Sequence, residues 1–436
     1  MAIKLFPDLP TQKRIADATE SIASKIGGQA KSKVYGVSGL GQENPVLTRT
    51  YDAVGVNLVV TPNANDSDLL ECVATDNEFQ EFFNFPKYTD IHGNVFVTIT
   101  PKAFRIDSTS GGEIKAISVK EYETGDEALG FVLHPAFKKW MTQTEFDGFG
   151  SIAIAKYINA AYDVVNDEVF SGEVNVGNLD DLVVTSKPGL DYAQSFAPWD
   201  EGREVIKNTD GNYNMLTVLY ESLIQWLQVI YFGRLDIINL FGVQFTENAP
   251  GEINPKDLIT ETGTTDNIVS HTGFNKNSYQ FKIFNLDGAL VGQYIDGVYS
   301  DGTDLYYSRI FDFDGKNDNG ALKSTIPYIQ NYNGDFDLIT KLGYDENEPF
   351  FHSPLALRPT TPEHPENAVQ NLFYSVVYGG AEISSGFRGQ KWGFGKGVTV
   401  LYPDDGIFKT RFNRDFYYAW YDDLINGALR LCKPPF

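Results

Sequence analysis

The chain has 436 residues, 42% of them hydrophobic, which allows a sizeable core and argues against intrinsic disorder. Its 35 Lys and Arg against 58 Asp and Glu leave a net charge of −23, which argues against nucleic acid and anionic membranes as principal partners, because phosphate binding needs a basic face. Aromatic residues make up 14% of the chain against only 3 Met, a balance that fits many short strands and loops and surfaces that bind through rings.

In chain order, residues 1–10 carry none of the apolar run of a secretory signal. Residues 11–27 predict a helix: Thr11 stands as N-cap after Pro10, Ile15, Ala18, Ile22 and Ile26 form one narrow apolar stripe, and Gly27-Gly28 stops it. So thin a stripe is marginal in water on its own. The helix therefore needs a partner, whether the protein's own body, a symmetry mate or another protein.

Residues 34–107 are rich in strand patterns, with β-branched runs at 56–60 and 94–99, the second preceded by the turn residues His92-Gly93-Asn94. A further run covers 114–121, and 150–162 reads as a strand continuing into small residues. A short helix is expected over 198–207 and the strongest one over 214–232. There Leu216, Leu219, Leu223, Leu227 and Ile230 recur at helical spacing, Tyr220 and Trp226 flank the stripe, and Gly233 ends it, which predicts a core helix. No uncharged apolar stretch reaches the roughly 18 residues of a membrane span, and the longest, near 223–232, contains Gln225 and Gln228. After 242, strands such as 280–284 alternate with Asn, Gly and Asp turns, 315–336 is Asn-, Asp- and Gly-rich and expected to be exposed, and 353–368 is an irregular Pro-rich loop. The expected class is α+β: an N-terminal helix (1–30) for attachment or oligomerisation, a β-rich domain (31–128), and a third region (129–436) ending in an irregular antiparallel β tail.

No constellation of residues announces catalysis. His92, His134, His271, His352 and His364 sit in no G-x-S-x-G or H-E-x-x-H context, and structural or solvent roles are expected for each. Cys72 and Cys432 belong to no C-x-x-C pair, so zinc-cluster and thiol-redox chemistry have no support, and nothing decides whether the two pair with each other. Asp312-Phe313-Asp314-Gly315-Lys316-Asn317-Asp318 offers oxygen ligands at alternate positions around a glycine, but Lys323 stands where an EF-hand loop has its Glu, and a plain Asx-type turn is the commoner explanation. No catalytic residue, metal or cofactor is expected. The segment 386–395, Gly386 through Gly395, has G-x-x-G spacings without a following helix and fits a tightly turned β segment rather than a phosphate cradle. Asp415-Phe416-Tyr417-Tyr418-Ala419-Trp420-Tyr421-Asp422-Asp423 is the densest ring cluster. Its rings serve either core packing or partner contact, the latter because Tyr and Trp combine large rigid area with a polar handle.

Several short blocks resemble, in order, a family of bacteriophage virion proteins known as minor structural or tail proteins. Tyr35-Gly36-Val37 with Leu47-Thr48-Arg49-Thr50-Tyr51-Asp52-Ala53-Val54-Gly55 is similar to its opening "YGV…LTRTGDAxG", and Phe82–Pro86 with Gly93–Val97 to its "FDNxP…GNVFVRIPKFY". Phe131–Phe137 and Ile154-Ala155-Lys156-Tyr157 resemble its "HPAF…VGKYE" pair, and Ser186–Gly189 an "SxPG" turn. The 214–232 helix resembles its "MMTxxEwxaiqxLxxiefG" helix, and Gly427–Leu431 the closing "GARLxLxP" strand. The resemblance spans about residues 35–436 and rests on the colinear order of degenerate motifs.

The resemblance implies a C-type lectin-like fold for 129–436, shared with formylglycine-generating enzymes and with retroelement-diversified proteins such as the phage major tropism determinant. The sulfatase-modifying relatives bind copper through a cysteine pair near the C-terminus. Here that region has only Cys432, so no enzyme activity is expected. The diversified relatives carry a variable, aromatic-rich surface before the closing strand, which by position implies binding by Trp392, Phe394, Phe416, Tyr417, Tyr418, Trp420 and Tyr421. The expected function is that of a virion component, assembled in the bacterial cytoplasm, which recognises a host-surface glycan or protein without covalent chemistry. Its expected partners are other virion proteins and itself, as a homo-oligomer, with no nucleic acid and no membrane insertion. The alternatives are a purely architectural part (head fibre, collar or tail tip) and, from a third class, an enzyme cutting host polysaccharide with paired carboxylates.

Overall fold

A computed structural model describes residues 32–234 apart from 41–45, 64–65, 109–113, 158, 171–178 and 189–198; beyond 234 it describes 278–284, 293–300, 305–311, 322–323, 327–332, 336–342, 350, 375–378, 387–391, 401–404, 407–410 and 430–436. The described part is mostly β-strand in several sheets, with few helices. The helix expected at 11–27 and the Asp312–Asp318 cluster lie outside the described residues.

The strands before the first helix are β1 (Tyr35–Ser38), β2 (Thr48–Tyr51), β3 (Leu58–Asn63) and β4 (Asp66–Ala74). Helix α1 (Asn77–Phe82) starts at Asp76, whose carboxylate accepts the Phe79 amide at 2.7 Å. Then come β5 (Lys87–Thr89), β6 (Val95–Ile99), β7 (Lys102–Ser108), β8 (Ile114–Glu121) and β9 (Val132–Leu133). The hairpin β10 (Lys138–Trp140) and β11 (Phe146–Phe149) follows, then β12 (Ile152–Ala155), β13 (Ala160–Asp163), β14 (Glu168–Phe170) and β15 (Leu182–Thr185). Helix α2 (Trp199–Thr209), β16 (Asn214–Met215) and helix α3 (Val218–Phe232) complete the middle of the chain. Beyond it lie β17 (Ser278–Gln280), β18 (Ile283–Phe284), β19 (Gln293–Ser300), β20 (Leu305–Tyr307) and β21 (Leu322–Lys323). The last elements are the hairpin β22 (Pro327–Tyr332) and β23 (Phe336–Leu342), β24 (Ser375–Tyr378), β25 (Phe387–Lys391), the hairpin β26 (Leu401–Asp404) and β27 (Ile407–Thr410), and β28 (Leu431–Lys433).

The sheet of order β16-β28-β12-β6-β5 organises the interior. Apart from the exposed edge strand β5, its strands are largely buried on both faces, so the two-residue alternation of a strand divides its side chains between two cores. Val97, Ile99, Ile152, Ile154 and Cys432 join the core around α3. Phe96, Ala153, Ala155 and Leu431 join a second core with Val205 and Ile206 of α2, Leu182 and Val184 of β15, and Tyr213. Strands from both sides of residue 128 share this sheet. A second sheet, β2-β1-β8-β7-β9, supplies Tyr35, Val37, Phe104, Ile117 and Val119 to the α3 core.

Helix α3 is no more than 5% exposed at any position from Leu219 to Phe232. It differs from the sequence expectation in two ways. Residues 214–215 form a strand, because Thr217 caps the helix by accepting the Tyr220 amide, which leaves the residues before it extended. In addition, the burial extends all round rather than along one stripe, so its polar side chains need internal partners. Gln225 donates to Glu221 at 3.0 Å, Gln228 donates to Gln280 at 2.7 Å, and the Ser222 hydroxyl donates to the Phe350 carbonyl.

The C-terminal end of α3 is closed from a distant segment. Gly233 takes a positive φ of 64°, as its place after the helix requires, and Arg49 donates to the carbonyls of Ile230 at 3.0 Å and Tyr231 at 2.7 Å. A cation there also opposes the negative end of the helix dipole. Burial lowers the Arg49 pKa without neutralising it. Replacing Arg49 with Met should cost about 1–3 kcal/mol of unfolding free energy in denaturant titrations, with Lys recovering only part because it lacks the forked donors.

The expected strand over 280–284 is instead a two-residue hairpin. Gln280 pairs with Ile283, and Phe281 and Lys282 form the turn with φ of 52° and 63°. Two successive positive φ values are the signature of a type I′ turn, normally filled by Asn and Gly. Phe281 holds the turn by packing against Phe83, Phe85 and Tyr231 at centroid distances of 6.0, 5.5 and 5.4 Å.

His134, in the His-Pro-Ala-Phe block, is fully buried, and its Nδ1 accepts the Ala136 amide at 3.1 Å, capping a short 3-10 turn over Pro135–Phe137. Burial first, and the Lys138 charge second, push its pKa well below the ordinary value, so the folded protein holds it neutral. The unfolded chain takes up a proton near pH 6.5 that the native state refuses, so stability is lost as pH falls below that point. Unfolding free energy should therefore drop between pH 7 and 5 by up to about 1.4 kcal/mol per pH unit, and His134→Gln should flatten that slope in parallel denaturant titrations.

Candidate functional site

The rings expected to bind, Trp392, Phe394, Phe416, Tyr417, Tyr418, Trp420 and Tyr421, all lie outside the described residues. Just before the first of them, β25 runs between β19 and β24 in the sheet β21-β20-β19-β25-β24, so the backbone of 387–391 is a strand.

Among the described residues, the chemistry-bearing side chains gather at the β17–β18 hairpin. Strand β17 lies parallel to β4, with Tyr279 opposite Glu71, and this places the hairpin turn over the end of α3. A partly open cavity of about 110 Å3 is lined among others by Glu71, Asn84, Tyr231, Tyr279, Gln280 and Lys282. That is room for a handful of waters or one small polar group, below the span of a drug-sized ligand. Its floor is fixed: the Tyr231 hydroxyl donates to the Cys72 carbonyl at 2.6 Å, with Gln80 Oε1 at 3.1 Å. Gln280 is 3% exposed and accepts from Gln228 through its oxygen, while its own NH2 group finds no acceptor among the described residues.

Lys156 stands at one side. It follows β12, where its amide donates to the Val95 carbonyl at 2.9 Å, and the next residue, Tyr157, is held through its amide to Ser186 Oγ at 3.3 Å. Its ammonium lies 5.3 Å from the Tyr157 ring and 5.6 Å from the Tyr279 ring, a pair of cation–π contacts. The side chain is only 7% exposed. Burial first, then the charges of Lys87 and Lys282, bring its pKa down to about 8. Burial and Lys87 likewise lower the Lys282 pKa. The lysines of β5, the end of β12 and the hairpin turn thus lie close enough to disfavour one another's charge, and of the three only Lys282 lines the cavity, together with Glu71.

Sequence reasoning does not single out these lysines. They stand at positions 87, 156 and 282, and only the tertiary fold makes them neighbours. The one available signal is Lys156-Tyr157 within a block that resembles the virion family.

Both cysteines are buried free thiols; burial pushes Cys72 up to about 12 and Cys432 well above its ordinary value, so neither is poised for redox chemistry. Among the described residues no cluster of three or more His, Cys, Asp or Glu could hold a metal ion, and no helix is long and apolar enough to cross a membrane. No family model matches the chain, and no curated protein matches it.

Proposed function

We propose that the protein is a bacteriophage virion component that displays a C-type lectin-like domain and binds the host surface without covalent chemistry. One observation supports the reading: most of the blocks that resemble the virion family contribute to a single core. Val37, Leu47, Phe83, Val97, Phe137 and Ile154, together with the residues of α3, pack in one cluster. Strand β28, matching the end of the closing block, lies between β12 and β16. Motifs that act as core elements of one fold keep their order under divergence, because each must meet the others in space.

On this reading, recognition belongs to Trp392, Phe394, Phe416, Tyr417, Tyr418, Trp420 and Tyr421, with weak contacts multiplied over many copies on one particle. Alanine at Trp392, Tyr417, Trp420 and Tyr421 together should abolish binding of the purified protein to host cells while leaving its thermal unfolding close to the parent's. Unchanged cell binding would leave the architectural role in its place.

Residues 1–30 tether or oligomerise the chain, giving a symmetric homo-oligomer. Size measurement by light scattering should give an oligomer for the full chain and a smaller species for the protein lacking 1–30, and equal masses would remove this segment as the assembling element.

A further inference from the structure

We infer that the Lys120 amine and the Asp126 carboxyl condense into an intramolecular amide, an isopeptide cross-link between strand β8 and the turn that follows it, with Glu123 carrying the proton. This modification stands independently of host attachment through the C-terminal rings.

Burial singles out the pair. Lys120 Nζ lies 2.5 Å from Asp126 Oδ1, and the two side chains are 5% and 4% exposed. By contrast, Lys102 pairs with Glu121, whose side chain is 45% exposed, and Lys433 pairs with Asp90 from a side chain that is 20% exposed. Two charges taken out of water lose solvation that their attraction only partly returns, whereas a neutral amide carries no such penalty.

The groups around the pair are those that amide formation needs. Asp126 opens the 3-10 turn Asp126–Leu129, which is bracketed by Gly125 and Gly130 at φ of 101° and 78°, and its own amide donates to the Glu123 carbonyl at 3.1 Å. Its second carboxyl oxygen, Oδ2, accepts the Glu123 amide at 2.7 Å. That donor sits where negative charge develops when an amine adds to Cγ. A second carboxylate touches the amine: Glu123 Oε2 is 3.2 Å from Lys120 Nζ, on a side chain open to solvent. The buried Phe131 ring lies 5.9 Å from Nζ and borders the pair with apolar surface. Nucleophile, electrophile and proton carrier are thus already assembled by the fold, so no approach has to be arranged.

The step balances with no co-reactant. A proton passes from the Lys120 ammonium to Asp126 Oδ1, leaving a neutral amine beside a carboxylic acid. The amine adds to Cγ, and Glu123 takes a proton from Nζ and delivers it to the departing Oδ1 hydroxyl. The Nζ–Cγ bond forms, the Cγ–Oδ1 bond breaks, one water leaves, and Glu123 ends as it began. Oδ2 becomes the amide oxygen and keeps its hydrogen bond from the Glu123 amide.

The test is peptide mapping by mass spectrometry of the full-length protein, denatured and cut with trypsin. Trypsin does not cut after a lysine whose amine is acylated, so the expected product is one peptide, 116–138, lighter than its sequence by one water. Lys120→Arg, which keeps the charge but cannot form the amide, and Asp126→Ala should each show no loss of water. Glu123→Gln should slow condensation at least about tenfold, leaving mostly uncondensed chain in freshly made protein. The parent's map needs no variant to fold. Peptides 116–120 and 121–138 at their full sequence masses in the parent overturn the inference. So does a missing water that persists in Lys120→Arg, since it would then lie in a succinimide at Asp126. Condensation of Glu123→Gln as fast as the parent overturns the part given to Glu123.

Discussion

The structure depends on one constraint, that helix α3 has no wet side. A surface helix leaves its unpaired terminal groups and polar residues to water, whereas this one must answer each of them inside the protein. Thr217 closes the first turn, Arg49 reaches in from β2 to close the last, and Ser222 and Gln228 find partners on segments more than a hundred and about fifty residues away in sequence. The helix therefore ties together parts of the chain that have no local reason to meet. The hairpin follows from the same constraint, since Gln280 is held there by accepting from Gln228.

The ends of the central sheet are tied in the same manner. Lys433 of β28 pairs with Asp90 at 3.1 Å beside the Phe96 and Tyr213 rings, and the Tyr213 hydroxyl donates to the same carboxylate. Burial alone would raise the Asp90 pKa, yet the hydrogen bonds from Tyr213 and Lys433 outweigh it and hold the carboxyl below its ordinary range. This clasp is thus present from neutral pH down past the ordinary carboxylate range and gives way only as pH falls through the lowered value. It joins the turn before β6 to strand β28.

Where local pattern and tertiary context agree, the elements could be read from sequence alone. The run 114–121, the stop at Gly233 and the turn at Gly93 follow from β-branched content and from backbone positions that favour glycine. Where they conflict, local pattern misleads. The apolar run 280–284 has the composition of a strand, but ring packing around Phe281 bends it into a hairpin. The leucine stripe of α3 marks one face, although tertiary packing covers the whole helix, glutamines included. The lysine cluster was not legible at all, because nothing in the spacing of 87, 156 and 282 implies proximity. The aromatic-rich segment before β28 was legible as a candidate surface only through its position relative to the closing strand.

Pairing between β12 and β28 has a further consequence for the chain's evolution. The Arg430 guanidinium donates to the Ala155 carbonyl at 2.9 Å, and the Leu216 amide donates to the Arg430 carbonyl at 2.8 Å. The start of α3 and the closing strand are thus anchored side by side, while the chain between them returns to the same core at Phe281, Ile283 and Phe350 and to Asn214 and Leu216 through Asp296. Each return divides the intervening chain into shorter closures, and because closure entropy grows only logarithmically with length, doubling any one of them would add about 0.6 kcal/mol. Lengthening between the anchor points is therefore cheap, whereas a substitution at an anchor point reaches the core itself.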